Sequence, residues 1–234
     1  MKKVLITGGS GGIGSAIVRL FSQNGYAVYF TYNNSHAEAL SLQKETNATP
    51  IKCDLKNSES VSSLKNAIGS VDILINNAGI SQFSLFTDIS ESDWDNMMDV
   101  NLKSAFLVTK TFLPNMISKK WGRIINVSSM WGISGASCEV HYSASKAGLI
   151  GLTKALAKEV APSNVTVNCV APGIIDTKMN AHLSQEDKKE FEECVPLLRS
   201  GKPLEVANAI MFLASEQASY ITGVVLPVDG GYTI

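Results

Sequence analysis

Short runs of β-branched and other apolar residues alternate with longer stretches in which apolar residues recur at helical spacing. The short runs are Val4-Leu5-Ile6, Ala27-Val28-Tyr29-Phe30, Ile51-Lys52-Cys53, Ile73-Leu74-Ile75, Arg123-Ile124-Ile125-Asn126-Val127, Val165-Thr166-Val167-Asn168-Cys169-Val170 and Val224-Val225-Leu226, and they read as strands. The alternation predicts an α/β architecture: a doubly wound, seven-stranded parallel sheet with right-handed crossovers and helices on both faces. No linker, repeat or low-complexity tract interrupts the pattern, so residues 1–234 are expected to form a single domain. The least regular stretch is 174–202. There Gln185-Glu186-Asp187-Lys188-Lys189-Glu190 is strongly polar between apolar flanks, a candidate lid.

Composition narrows the reading by exclusion. With 45% hydrophobic and 18% charged residues the chain has an ordinary globular make-up, and no run reaches membrane-spanning length. A net charge of -1 gives no reason to expect nucleic acid or an anionic membrane as partner. Cys53, Cys138, Cys169 and Cys194 show neither paired metal spacing nor a disulfide framework. They read as reduced thiols, packed mostly as small hydrophobes, in a cytoplasmic protein. His36, His141 and His182 are scattered, and no metal site is expected. Lys2 and Lys3 precede only a short apolar run, which argues against a signal-peptide core.

Two segments carry chemistry. The first strand runs into Thr7-Gly8-Gly9-Ser10-Gly11-Gly12-Ile13-Gly14, followed by an apolar-periodic helix through Ile17, Val18, Leu20 and Phe21. Glycines there allow a tight turn and close approach of backbone amides to a pyrophosphate, and the helix N-terminus adds partial positive charge. Further along, Tyr142 and Lys146 stand at i and i+4 in a helix-prone run, so they share a face. An ammonium beside a phenol favours the phenolate, which makes Tyr142 a candidate proton donor and acceptor near neutral pH. His141 points about 100° away around the helix and reads as structural.

With these and four further motifs in order, the chain resembles the short-chain dehydrogenase/reductase family over its whole length, which implies a Rossmann-type sheet and an NAD(P)-dependent oxidoreductase. Gly8, Ser10, Gly11, Gly12, Ile13 and Gly14 fall in the family's cofactor loop, and Asn77, Ala78 and Gly79 in the motif closing the fourth strand. Asp54 and Leu55 fall where the family holds the adenine ring. Pro172, Gly173, Ile175 and Thr177 lie in a segment similar to the one that meets the nicotinamide carboxamide. Asn101, Ser129, Tyr142 and Lys146 fall at the catalytic positions. The resemblance implies hydride transfer to a ketone with Tyr142 as proton donor and Ser129 bonded to the same oxygen. It implies that Lys146 binds ribose and lowers the Tyr142 pKa, and that Asn101 holds a water relaying protons to Lys146. No metal is needed.

The segment after the second strand, Thr31-Tyr32-Asn33-Asn34-Ser35, has no acid before Glu38. NADP(H) is therefore favoured, with Asn33 at the discriminating position, while Gly11 stands where NADP-preferring relatives often carry a basic residue, so NAD(H) stays open. For the substrate, the chain resembles 3-oxoacyl-acyl-carrier-protein reductases through Lys154-Ala155-Leu156-Ala157-Lys158-Glu159 and Asp229-Gly230-Gly231. It also resembles reductases of 5-aminopentanone-modified elongation factor P in the stretch Trp131 to Val140, where Glu139 is placed to pair with a substrate ammonium. The expected partner is thus a ketone, carried on acyl carrier protein or on modified elongation factor P. A carrier-protein docking surface wants basic residues near the site entrance; Lys119, Lys120 and Arg123 are candidates for one side of it, whereas the turn Ala161-Pro162-Ser163-Asn164 is uncharged. A non-catalytic dinucleotide sensor is the remaining alternative. Relatives commonly form tetramers, and Phe106, Leu107, Val108, Leu149, Ile150 and Leu152 offer apolar helix surface for a homotetramer.

Overall fold

The computed structural model describes residues 1–178 and 184–234. Its strands are β1 (Lys3–Ile6), β2 (Ala27–Tyr32), β3 (Thr49–Lys52), β4 (Ile73–Asn76), β5 (Gly122–Val127), β6 (Val165–Pro172) and β7 (Val225–Val228). All pairings are parallel, in the order β3-β2-β1-β4-β5-β6-β7. The helices are α1 (Gly12–Gln23), α2 (His36–Thr46), α3 (Ser58–Ile68), α4 (Glu91–Met98), α5 (Ser104–Lys119), α6 (Trp131–Ser134), α7 (Val140–Val160), α8 (Gln185–Glu193) and α9 (Pro203–Ala214).

Because side chains alternate across a strand, each central strand feeds two cores. Val4 and Ile6 of β1, with Ile73 and Ile75 of β4, pack beneath α1, α2 and α9. Leu5 and Leu74 point the other way, onto Val61 and Leu64 of α3 and Val108 and Phe112 of α5. This is the Rossmann-type arrangement. β1 and β4 are neighbours where the winding reverses, and a crevice opens at their carboxyl ends.

Ser184 caps α8 in a capping box with Asp187, and Ile175 bridges to Gly201. Residues 179–183, which include His182, lie outside the described residues. Of the apolar helix residues considered for assembly, Val108 and Leu149 are core, whereas Phe106 remains 46% exposed. No described helix is long and apolar enough to cross a membrane.

Candidate active site

The glycine loop leaves β1 at the switch point and is fastened there by a polar clasp. The Thr7 hydroxyl accepts from the Asn77 and Ala78 amides at 2.9 and 3.0 Å, and the Asn77 side-chain amide donates to the Thr7 and Gly8 carbonyls at 3.0 and 3.1 Å. Gly8 sits at φ 65°, and a Cβ there would come within 2.9 Å of Ala78 Cα. A Cβ on Gly14 would lie 2.2 Å from the Gly8 carbonyl oxygen. Both positions therefore demand glycine. No side chain caps the first turn of α1, so the amides that open it face the crevice.

The crevice is an open cleft of about 1730 Å³. Gly8, Gly11, Gly12 and Gly14 line it, as do Ser10, Ile13, Asn33, Asp54, Leu55, Asn77, Ala78, Gly79, Pro172, Gly173, Ile175 and Thr177. A backbone cradle with uncapped amides at one end and a polar rim at the other fits a dinucleotide. At the rim Glu38 also lines the cleft, and its carboxylate is held by Lys178 at 3.4 Å from the loop after β6.

Ser129, Tyr142 and Lys146 line the same cleft. Ser129 follows β5, and its hydroxyl accepts from the Trp131 amide at 3.2 Å and hydrogen-bonds the Tyr142 phenol. Lys146, one turn along α7 from Tyr142, has its Nζ 5.7 Å from the phenol ring centroid and donates to the Val127 carbonyl at 3.0 Å. Ser128 secures this turn of α7 by donating to the Lys146 carbonyl at 2.9 Å.

Asn101 is placed differently. It lies in a π-helical turn, Asp99–Lys103, between α4 and α5, an irregularity common at functional sites. It is buried and does not line the cleft. Its Oδ1 accepts from the Ile80 amide at 2.8 Å, while Nδ2 donates to the Ile80 carbonyl at 2.9 Å and to Ser145 Oγ at 3.0 Å. Lys146 Nζ and Asn101 Oδ1 nevertheless converge on one spot: a Cβ on Gly79 would lie 3.1 and 3.2 Å from them.

The electrostatics depart from the sequence expectation. Burial pushes the Tyr142 phenol up to about 12; the Ser129 hydrogen bond opposes this, and the Glu139 carboxylate adds to it. Burial also brings the Lys146 ammonium down to about 8. Burial thus outweighs any neighbouring charge and sets the Tyr142 pKa above its ordinary value in the protein alone, because desolvation disfavours the charged form. His141 is fully buried, but neither ring nitrogen has a hydrogen-bond partner, and burial lowers its pKa. Lys119, Lys120 and Arg123 stand at the end of α5 and the start of β5, the amino-terminal end of the sheet, opposite the end where the cleft opens. Arg123 is buried over the Trp121 ring and paired with Glu216, and Lys119 is paired with Asp72. They cannot form the cleft entrance.

Glu139 does line the cleft. The sequence reading missed the supporting residues Thr7, Ser128 and Ser145, whose types are common and whose roles depend on partners far along the chain. It also missed an aromatic cluster of Trp131, Phe191 and Tyr232 at the cleft wall.

Residues 8–233 match the family model described as enoyl-(acyl carrier protein) reductase. The chain is 45% identical over 239 residues to the 3-oxoacyl-[acyl-carrier-protein] reductase of Aquifex aeolicus, covering 98% of this chain and 96% of that one. It is 43% identical over 242 residues to the enzyme of the same name from Thermotoga maritima, covering 100% and 98%. The Rickettsia felis reductase matches at 43% over 231 residues, covering 98% and 96%.

Proposed function

This chain belongs to the short-chain dehydrogenase/reductase family, and on that footing we propose that it is an NADPH-dependent ketoreductase acting on a 3-oxoacyl group carried by acyl carrier protein. The observation that carries the reading is the convergence of Ser129, Tyr142 and Lys146 on the cleft that also holds the glycine cradle. When bound, a reduced nicotinamide supplies the hydride received by the carbonyl carbon.

The chain's own residues supply the rest. Tyr142, held protonated through the neutral range, gives its proton to the carbonyl oxygen. Ser129 donates to the same oxygen and keeps it in line as negative charge develops. Two hydroxyls meeting one oxygen suit reduction of a C=O group, the chemistry in the relatives' names, better than reduction of a C=C bond. Lys146, with a pKa near 8, is mostly charged at neutral pH and sits where it can hold ribose hydroxyls. Asn101 holds the Gly79–Ile80 backbone beside Lys146 and offers its Oδ1 to the proton path leaving that ammonium.

NADPH is favoured because the β2 end presents Asn33 and no acid before Glu38, whose charge is offset by Lys178. The test is oxidation of NADPH and of NADH with acetoacetyl carrier protein, acetoacetyl pantetheine and crotonyl pantetheine. Turnover of the two ketones with NADPH is expected. Turnover of the crotonyl thioester alone would overturn the reading.

One observation favours a second reading. The Glu139 carboxylate lies close enough to the reacting centre to raise the Tyr142 pKa. A charge there suits a substrate bearing an ammonium, such as an aminoketone on modified elongation factor P.

A further inference from the structure

A 2′-phosphate on a bound dinucleotide calls for a cation, and the glycine loop, residues 8–14, contains none. The β2 end offers only the neutral side chains of Asn33, Asn34 and Ser35. Among the described residues, Arg19, Lys56, Lys146 and Lys178 are the cations that line the cleft. Three of them are committed elsewhere. Arg19 grips Glu45 with two prongs, Nε at 2.7 Å and Nη2 at 2.9 Å. Lys56 follows β3 beside Asp54 and Leu55 and donates to Asn96 at 3.2 Å. Lys146 is buried at the catalytic end and donates to the Val127 carbonyl at 3.0 Å.

Lys178 is free to move. Its pair with Glu38 is long, 3.4 Å, and 91% of its side chain is exposed, so breaking the pair costs little. The backbone leading to it is fixed. Past β6, the Gly201 amide donates to the Ile174 carbonyl and the Asp176 amide donates to the Gly201 carbonyl, each at 2.9 Å. Thr177 then lies against the start of α1, where a Cβ on Gly12 would come within 2.6 Å of its Cγ2. The segment therefore crosses from β6 over the cradle and sets Lys178 against the first turn of α2, where Glu38 stands. In a sheet wound this way the adenine-side ribose faces the end of the second strand, so the Glu38–Lys178 pair belongs to the rim which that ribose faces.

We infer that Lys178 is the cation that selects NADPH: it exchanges the Glu38 carboxylate for the 2′-phosphate, and Glu38 holds it at the rim when no phosphate is bound. This rests on the NADPH reading. The exchange is favourable because the ammonium leaves a singly charged partner for one carrying about −1.5 to −2 near neutral pH. A dinucleotide without the phosphate gives Lys178 nothing to exchange for, so NADH binding does not depend on it. Glu38, once released, faces the phosphate with like charge, and this holds the preference below what Lys178 alone would give.

The experiment measures Kd for NADPH and NADH by fluorescence titration, and for 2′,5′-ADP and 5′-AMP by calorimetry, at low and high salt. The proteins are the wild type, Lys178→Gln, Lys178→Glu, Glu38→Gln and Arg19→Gln, each checked by a thermal melt. Lys178→Gln should weaken NADPH and 2′,5′-ADP about tenfold and leave NADH and 5′-AMP within about twofold. Lys178→Glu should weaken the phosphorylated pair further, and Glu38→Gln should tighten NADPH about threefold. The salt dependence of 2′,5′-ADP binding should be shallower in Lys178→Gln than in the wild type. A wild type that prefers NADPH, with the preference intact in Lys178→Gln, overturns the assignment. So does a loss of preference in Arg19→Gln alone, which gives the role to α1, or an equal loss for NADPH and NADH in Lys178→Gln, which gives Lys178 to the pyrophosphate. A wild type that binds NADPH no more tightly than NADH refutes the NADPH reading itself, and the role of Lys178 with it.

Discussion

The two halves of the cleft, one proposed to take the nucleotide and the other the substrate, are built on opposite principles. The nucleotide half is made of main chain: glycines at Gly8, Gly12 and Gly14, uncapped amides at the start of α1, and the Thr7–Asn77 clasp. The substrate half is made of side chains from remote segments, with Ser129 after β5, Tyr142 on α7, and rings at 131, 191 and 232. Main-chain recognition leaves little freedom of residue type, because a Cβ at the wrong place collides with backbone that cannot move. Side-chain recognition keeps the scaffold and varies the wall.

The contrast makes the halves separable by mutation. The largest expected effect is Tyr142→Phe, which removes the proton donor and leaves the cradle intact; turnover should fall by about a thousandfold while NADPH affinity holds. Near-normal turnover would refute the role given to Tyr142. The converse is Gly14→Ala. Its Cβ meets the Gly8 carbonyl at 2.2 Å, so the loop must deform, and dinucleotide affinity measured by titration should drop about a hundredfold. Affinity within a few-fold of wild type would show that the loop is pliant.

Glu139→Gln divides the two substrate readings. A charge-assisted hydrogen bond is worth roughly 1.5 to 3 kcal/mol, so kcat/KM for an aminoketone should fall by about ten- to a hundredfold and that for a neutral diketone should barely change. Equal loss on both would assign Glu139 to loop support. Asn33→Asp should move the preference ratio about tenfold towards NADH, by setting a like charge against the 2′-phosphate. An unmoved ratio would place discrimination elsewhere on the rim, with the Glu38–Lys178 pair next to be tested.

The smallest effect is on stability. Lys146 has a folded pKa of about 8 against an ordinary 10.5, so between those values the unfolded chain binds more protons and the fold gains stability as pH rises. Tyr142, raised from 10.0 to about 12, acts in the opposite sense: the folded state keeps its proton, and stability falls as pH climbs through that window. Cys169, pushed by burial from 9.0 up to about 11, acts in the same sense as Tyr142, so melting temperature should rise from about pH 8 to 9, level off and then decline above pH 10, and Lys146→Met should remove the rise. A curve for Lys146→Met that parallels the wild type from pH 8 to 9 would contradict the burial of Lys146.

The strands were legible because apolar runs such as Ile73-Leu74-Ile75 are buried on both faces. The glycine loop and the Tyr142–Lys146 pair were legible because their geometry depends on spacing of a few residues. The docking role expected of Lys119, Lys120 and Arg123 failed for a topological reason, since charge says nothing about which end of the sheet a residue occupies. The aromatic wall gave no signal, because residues 131, 191 and 232 share no local period.

Local periodicity and turn chemistry act over a few residues, and they suffice for the order of elements, the parallel sheet, the cradle at the end of β1 and the shared face of Tyr142 and Lys146. Burial acts over the whole assembled chain. It alone reverses the expected direction of the Tyr142 pKa, withdraws Asn101 from the cleft surface and brings three distant rings together, because desolvation and contact depend on distance in space, which spacing along a chain does not contain.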